Sequence, residues 1–348
     1  MKEIFRIRLK NARKMRGLSL DALSEAMEYY KVSKNALAKY EKGEMMPSSK
    51  VLISLSKALN VPVDDFFRPI TITINTEDIS YRKRSSMGKK ELDAINNYVT
   101  SELEKYIEVE QLSNETKTFD VFFDEEVKDE NDAVSIAVKF RQKFKMGLAP
   151  ITKPIELLES AGVKIIEVDA STKFDGDCFT INDVFAIVLN KNFCSERIRL
   201  SLFHEVGHKV MNIAEGVDEE RMCNVFANEV LLPTAVFSEI IGNQRKSISL
   251  VELKELQKTY GISVDAMMAK AHQMGVVSNN RYSQYFIKKN MNPELKKAVD
   301  ESMYPKESSE RYMRLVYKLI ANEVITESKG ASLLNCSLSE VRESLKLV

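Results

Sequence analysis

The sequence predicts an α+β, multidomain chain: an all-α bundle of short helices, a charged connector, a mixed α/β domain and a helical C-terminal tail. Three observations carry this. Residues 1–67 break into short amphipathic segments, opened by capping residues and closed by glycine, asparagine or proline. From about 131, helical patterns alternate with runs of β-branched and apolar residues. Beyond 281 helical periodicity returns. The expected boundaries are 1–68 for the bundle, 69–130 for the connector, 131–278 for the mixed domain and 279–348 for the tail. A chain of 348 residues has room for two or three such cores.

In the bundle, FRIRLKNARKMRG is amphipathic and stops at Gly17. Ser19 caps LDALSEAM, Ser33 caps KNALAKYEKG up to Gly43, and Pro47–Ser48 opens VLISLSKALN. Lys+Arg and Asp+Glu both number 51, so net charge points to no partner. The charge is nevertheless uneven, with Lys2, Arg6, Arg8, Lys10, Arg13, Lys14 and Arg16 crowded at the N-terminus. The connector opens with a β-like TITIN and a basic patch at Tyr81–Arg84. A long helix follows over about 88–112, where Lys89, Lys90, Glu91, Glu102, Glu104 and Lys105 read as a solvated face.

No signal-peptide core and no apolar run of membrane-spanning length is visible, so a cytoplasmic location is expected. Cys178, Cys194, Cys223 and Cys336 are far apart, with no CxxC pair, and imply neither a disulfide framework nor thiolate metal ligation.

The chemistry sits in the mixed domain. NDAVSIAVKFRQKFK and PIELLESAG read as helices, VKIIEV and VFAIVLN as strands, and FDGDCFTIND as turn and strand between them. Two further helices follow, ERIRLSLFHEVGHKVM and EERMCNVFANEVLLP. HEVGH at 204–208 uses two of the chain's three histidines. Residues four apart share a helical face, so His204 and His208 can present two ring nitrogens to one metal. Glu205 then lies beside the metal, placed to take a proton from water, and Gly207 keeps the inner turn free of a side chain. A catalytic zinc takes three protein ligands. Glu220 is the third expected ligand, with Asn224 one turn on supporting a ligand histidine; Glu215, Asp218, Glu219 and Glu229 are alternatives for the acid. Met222, Cys223, Phe226, Ala227 and Val230 would turn inward. His272 reads as a surface or packing residue, and no side chain stands out as oxyanion stabiliser.

Together, PIELLESAGVKIIEV, the FDG at 174–176, IVLN at 187–190, RIRLSLFHEVGH and the segment from Glu220 to Pro233 resemble the ImmA/IrrE family of bacterial metallopeptidases. The resemblance covers about 131–275 and departs at Met222 and Cys223, where the family commonly has an acid and an alanine. It implies a zincin-like fold, Zn2+ and limited cleavage of a repressor-type protein, in a stress, mobile-element or phage-related response.

Residues 4–66, with KYEKGEMMPSSKVLISLSKALNVPVDDFF, resemble the Xre/Cro-type helix-turn-helix. That fold places its third helix in the major groove of double-stranded operator DNA. Ser33, Lys34 and Asn35 would then face bases, with Lys39 and Lys42 near phosphates. The turn MEYYKVS is about two residues longer than is usual for the family. A homodimer on a two-fold operator is a further expectation. The rival reading is a DNA-binding regulator, or antitoxin-like partner of a toxin, whose peptidase fold is catalytically idle.

Overall fold

The computed structural model describes residues 1–70, 87–242 and 244–346; TITIN and Tyr81–Arg84 lie outside them. In chain order the elements begin with α1 (Lys2–Met15), α2 (Leu20–Ala26), α3 (Lys34–Lys42) and α4 (Ser49–Leu59). A 3-10 turn (Val63–Phe67), α5 (Lys89–Ser113), β1 (Phe123–Val127), α6 (Glu130–Lys143) and α7 (Pro154–Ser160) follow. Next come β2 (Lys164–Val168), β3 (Gly176–Ile181), β4 (Val184–Asn190), α8 (Ser195–Val210), β5 (Met211–Ile213) and α9 (Glu219–Leu231). Helices α10 (Thr234–Ile241), α11 (Leu250–Tyr260), α12 (Val264–Gln273), α13 (Asn279–Met291) and α14 (Pro293–Asp300) continue the chain. The last are α15 (Arg311–Ala321), α16 (Glu327–Leu334) and α17 (Leu338–Ser344). The architecture is α+β and multidomain. Among the described residues no helix is long and apolar enough to cross a membrane.

The chain divides into two compact units, one of 1–118, 179–184 and 309–348, the other of 119–178 and 185–308. In the first, Phe5, Leu9, Leu23, Leu37, Leu55 and Phe66 form the core of the N-terminal bundle. The serine caps form as the sequence implies: Ser19 accepts from Ala22 N–H at 3.1 Å and Ser33 from Ala36 N–H at 3.3 Å. Gly43 ends α3 in the left-handed conformation that glycine adopts without strain.

Helix α5 corrects the expectation of a solvated face in part: Lys89 and Lys90 are exposed, but two of the named charges are not. Glu104 and Lys105 are buried, at 6% and 4% exposure, as is Glu110. Buried charges need partners. Glu104 accepts from Arg8 of α1 and, at 3.3 Å, from Arg68; Arg8 also donates to the carbonyls of Arg68 and Pro69. Lys105 lies 2.9 Å from Glu102 and 3.8 Å from Asp65. Glu110 pairs with Arg311, which opens α15. One of the seven N-terminal cations, Arg8, is thus an internal structural group. Val109 joins Leu315, Val316, Leu319 and Val341 in a small core that seats the C-terminal helices on α5.

A three-stranded sheet has the order β2-β4-β3, with β2 parallel to β4 and Ile166 opposite Val188. The left-handed conformations of Asn182 and Asp183 turn the chain between β3 and β4. A separate parallel pair, β1 with β5, was not anticipated: β1 falls in the expected connector, and β5 begins at Met211, the last residue of the expected helix. The second unit comprises 119–178 and 185–308, where the sequence suggested 131–278. Phe119, Val121 and Val127 at one end and Val299 at the other are buried in its core, which extends the compact region beyond the motif-bearing segment. Phe140 packs edge-on against Phe203 of α8 and Phe226 of α9, with centroids 6.3 and 5.4 Å away.

Residues 301–308 hold the start of α8. Glu196 accepts from Ser302 Oγ at 2.7 Å, Met303 N–H at 2.8 Å and Gln257 Nε2 at 2.8 Å. Nearby, Glu307 accepts from Ile155 N–H at 3.0 Å, while its Oε2 is buried with no hydrogen-bond partner among the described residues. Burial pushes its carboxyl up to about 7 from 4.5. A folded-state value above the unfolded one means the folded protein keeps this proton longer. The stability it contributes is complete below about pH 4.5 and lost as pH rises through about 7. We expect this group to weaken the fold by about 2–3 kcal/mol between pH 5 and 8. Denaturant titrations of Glu307→Gln should show a flatter profile over that window; an unchanged slope would contradict the assignment.

Candidate metal centre and helix-turn-helix surface

Helix α8 presents His204 and His208 on one face, with their Nε2 atoms 3.1 Å apart. Arg199 fixes the helix from its other side, donating to the carbonyls of Ile151 at 2.7 Å, Gly261 at 3.1 Å and Tyr260 at 3.2 Å. Helix α9, capped by Asp218 accepting from Arg221 N–H at 3.1 Å, brings its first turn to the histidines. Glu220 Oε2 lies 3.2 Å from His204 Nε2, and Glu220 Oε1 3.6 Å from His208 Nε2. Among the described residues, His204, His208 and Glu220 form the one group with metal-ligand geometry, their donor atoms all within 4.8 Å of one another.

The outer ring nitrogens are also engaged. His204 Nδ1 is 3.1 Å from Asn224 Oδ1, and His208 Nδ1 is 2.8 Å from Glu219 Oε1. Both oxygens are acceptors, so both Nδ1 atoms carry the proton and both Nε2 lone pairs face inward. Two lone pairs 3.1 Å apart beside a carboxylate repel one another unless a cation lies between them. The donor set therefore fits a divalent metal of the borderline kind that imidazole and carboxylate hold.

Glu219 is the residue whose place the sequence left open. It stood among the alternatives for the third ligand, yet it lies on the far nitrogen of His208, where an acid orients the ring. Its neighbour Glu220 points at the near nitrogens. Glu229 is buried elsewhere, accepting from Thr234 N–H at 2.8 Å and Lys270 Nζ at 2.6 Å. The sequence signal of Glu219 was faint, because two consecutive acids on a helix point about 100° apart and only the rotation of α9 decides which meets which nitrogen.

Gly207 explains how closely the two helices approach. A Cβ there would lie 3.2 Å from Phe226 Cδ1 and 3.3 Å from Cys223 Cα and Sγ. Gly207→Ala would gain about 1 kcal/mol of helix propensity but must push α9 outward. We expect a net loss of about 1–2 kcal/mol in chemical denaturation, together with weaker metal retention. An unaltered or higher stability would show that α9 yields freely. The residues expected to turn inward, Met222, Cys223, Phe226, Ala227 and Val230, are all buried.

Glu205 is 4% exposed and lies beside Gly176, the glycine of FDG. A Cβ on Gly176 would stand 2.9 Å from Val188 O, so only glycine lets β3 run this close to β4, while Glu205 Cγ at 3.8 Å would be in ordinary contact. Asn190, at the end of IVLN, steadies the preceding loop by donating to Ala170, Ser171 and Phe174 carbonyls at 2.9–3.1 Å. His272 lies apart from these groups, stacked on Tyr282 with centroids 4.5 Å apart.

On the N-terminal bundle, Ser33, Lys34, Asn35, Lys39 and Lys42 are all exposed along α3. Ser33 uses its hydroxyl as the N-cap, and Lys34 pairs with Asp21 of α2 at 2.6 Å. The long turn before α3 presents Tyr29 and Tyr30, 63% and 46% exposed, with Lys57 Nζ 3.8 Å from the Tyr29 ring centroid.

Comparison with known proteins gives two matches. A helix-turn-helix family model covers residues 9–66, and the model of an IrrE N-terminal-like domain, of the M78 peptidase group, covers 158–272. No curated protein matches the chain. The chain therefore joins an Xre-like helix-turn-helix to an ImmA/IrrE-like peptidase-family domain.

Proposed function

We propose that this protein is a DNA-binding regulator carrying a zinc-dependent endopeptidase, and that it cleaves a repressor-type protein. The observation that carries the reading is the pair of histidines whose inner nitrogens converge with Glu220 while Asn224 and Glu219 hold the outer ones. In this reading His204, His208 and Glu220 hold the metal. A bound zinc supplies Lewis acidity to the scissile carbonyl and to the attacking water. Glu205, poorly exposed and adjacent to the histidines on α8, takes the proton from that water and returns it to the leaving amine. Asn224 and Glu219 keep both rings in the tautomer that leaves Nε2 free for the metal.

In this reading Ser33, Lys34 and Asn35 contact bases and Lys39 and Lys42 contact phosphates of a double-stranded operator, which their exposure along α3 supports. Ser33 and Lys34 would exchange their present partners, Ala36 N–H and Asp21, for DNA. DNA binding would bring the peptidase to an operator or to a repressor bound there, in the cytoplasm, with a homodimer matching two-fold sites.

The test is a survey of protein N-termini in cells making wild-type protein or Glu205→Gln. New termini found only with the wild type, from a helix-turn-helix protein, support the reading. Identical profiles under every inducing condition would favour the antitoxin-like regulator with an idle peptidase fold, and a toxin as its partner.

A further inference from the structure

A cavity of about 230 Å³ opens among α11, α12, α13, α14 and the segment before α11. None of the metal-centre residues lines it. Its floor is apolar: Leu253, Met268, Val277 and Val299 are each no more than 6% exposed, and Leu295 packs beside them. At about 30 Å³ per water, the space corresponds to roughly eight water-sized groups, the size of a small ligand's body.

The rim has one sign of charge. Lys246, Arg281 and Lys288 line the cavity, all three exposed, and no aspartate or glutamate does. Three acids on the same elements are engaged elsewhere. Asp265 accepts from Tyr285 Oη and Lys289 Nζ, both at 2.6 Å. Glu252 is tied to Ser249 and to Arg245 at 2.7 Å, and Asp300 to Lys289 at 2.6 Å. Among the described residues, the three rim cations have no ion-pair partner. An apolar pocket with a few convergent polar groups is the usual form of a small-molecule site. Three cations at its mouth, with no anion on its wall, select an anionic head.

We propose that this cavity binds a small amphipathic anion, an aliphatic or aromatic acid whose body lies on Leu253, Met268 and Val277 and whose head meets Arg281, Lys288 and Lys246. Such a site makes the peptidase-like unit a receptor for a small acid, whether or not the metal centre turns over substrate. Free acid and the equivalent phosphate ester share this chemistry, and the assay separates them.

Isothermal titration of the full chain with octanoate, octyl phosphate and octan-1-ol tests the proposal. The expected result is saturable binding of one anion per chain, at least tenfold tighter than the alcohol. The tighter of octanoate and octyl phosphate identifies the head group. Arg281→Gln/Lys288→Gln, at exposed positions that leave the core intact, should weaken the anion at least tenfold and leave the alcohol unchanged. Leu295→Trp, which fills the pocket, should weaken both ligands. Equal affinity for acid and alcohol, no saturable binding, or binding that survives both variants would overturn the proposal. Metal content plays no part in this readout, so failure here is separate from failure of the peptidase reading.

Discussion

Glu205→Gln is expected to lower peptide-bond cleavage by roughly 10²–10⁴-fold while leaving bound metal at the wild-type level. The two halves of this result come from different parts of the site. In the proposed site, metal retention would rest on His204, His208 and Glu220, whose donor atoms converge, and on Asn224 and Glu219 behind the rings. Glutamine keeps the shape of the glutamate at its mostly buried place against Gly176, so packing is preserved. What it loses is basicity: an amide cannot take a proton from water at neutral pH. Cleavage of a purified substrate at the wild-type rate by Glu205→Gln would remove the residue from the mechanism. Loss of metal together with activity would instead make Glu205 part of the metal-holding set.

The largest effect on stability is expected at Glu104. Glu104→Ala should destabilise the N-terminal unit by about 3–5 kcal/mol, because it leaves two buried cations without their anion. Arg8 is 7% exposed and Arg68 5%, and both donate to this one carboxylate. Arg8 retains two backbone carbonyls, but these neutralise no charge. A glutamate lost from a solvated helix would cost only about 0.2–1 kcal/mol. Circular dichroism across a denaturant series distinguishes the two, and a loss below about 1 kcal/mol would mean that water reaches the arginines. The double variant Glu104→Met/Arg8→Met should recover part of the loss, since apolar side chains of similar volume replace buried ion pairs at little cost.

The contrast between these two sites shows what the sequence could carry. HEVGH is local: a four-residue spacing on a helix is enough to place two imidazoles together, and α8 does so. Glu220 and Asn224 were legible for the same reason, being four apart on the next helix. Glu219 was not, since its meeting with His208 Nδ1 depends on how α9 is rotated against α8, and that is set by Gly207, Cys223 and Phe226 together. Glu104 was misread because its partner is remote, Arg8 lying 96 residues before it, and the partner of Glu110, Arg311, is likewise 201 residues away. A run of charged residues looks the same whether it faces water or a distant arginine. Short strands were equally hard: β1 and β5 are five and three residues long, and their pairing spans the intervening sheet and helices.

The N-terminal bundle was legible in nearly every element, because its boundaries are set by local capping. Ser19, Ser33, Gly43 and Asn60 stop or start helices through hydrogen bonds and backbone conformations close in sequence. What local rules did not reveal is that Ser33 and Lys34 already have partners within the domain.

The most direct test of the metal centre is elemental analysis of the purified chain beside His204→Ala/His208→Ala, each produced with zinc supplied. The geometry predicts about one zinc per chain in the wild type and none in the double variant, with the fold retained. A wild type without metal, or equal metal in both proteins, would contradict a centre built from His204, His208 and Glu220.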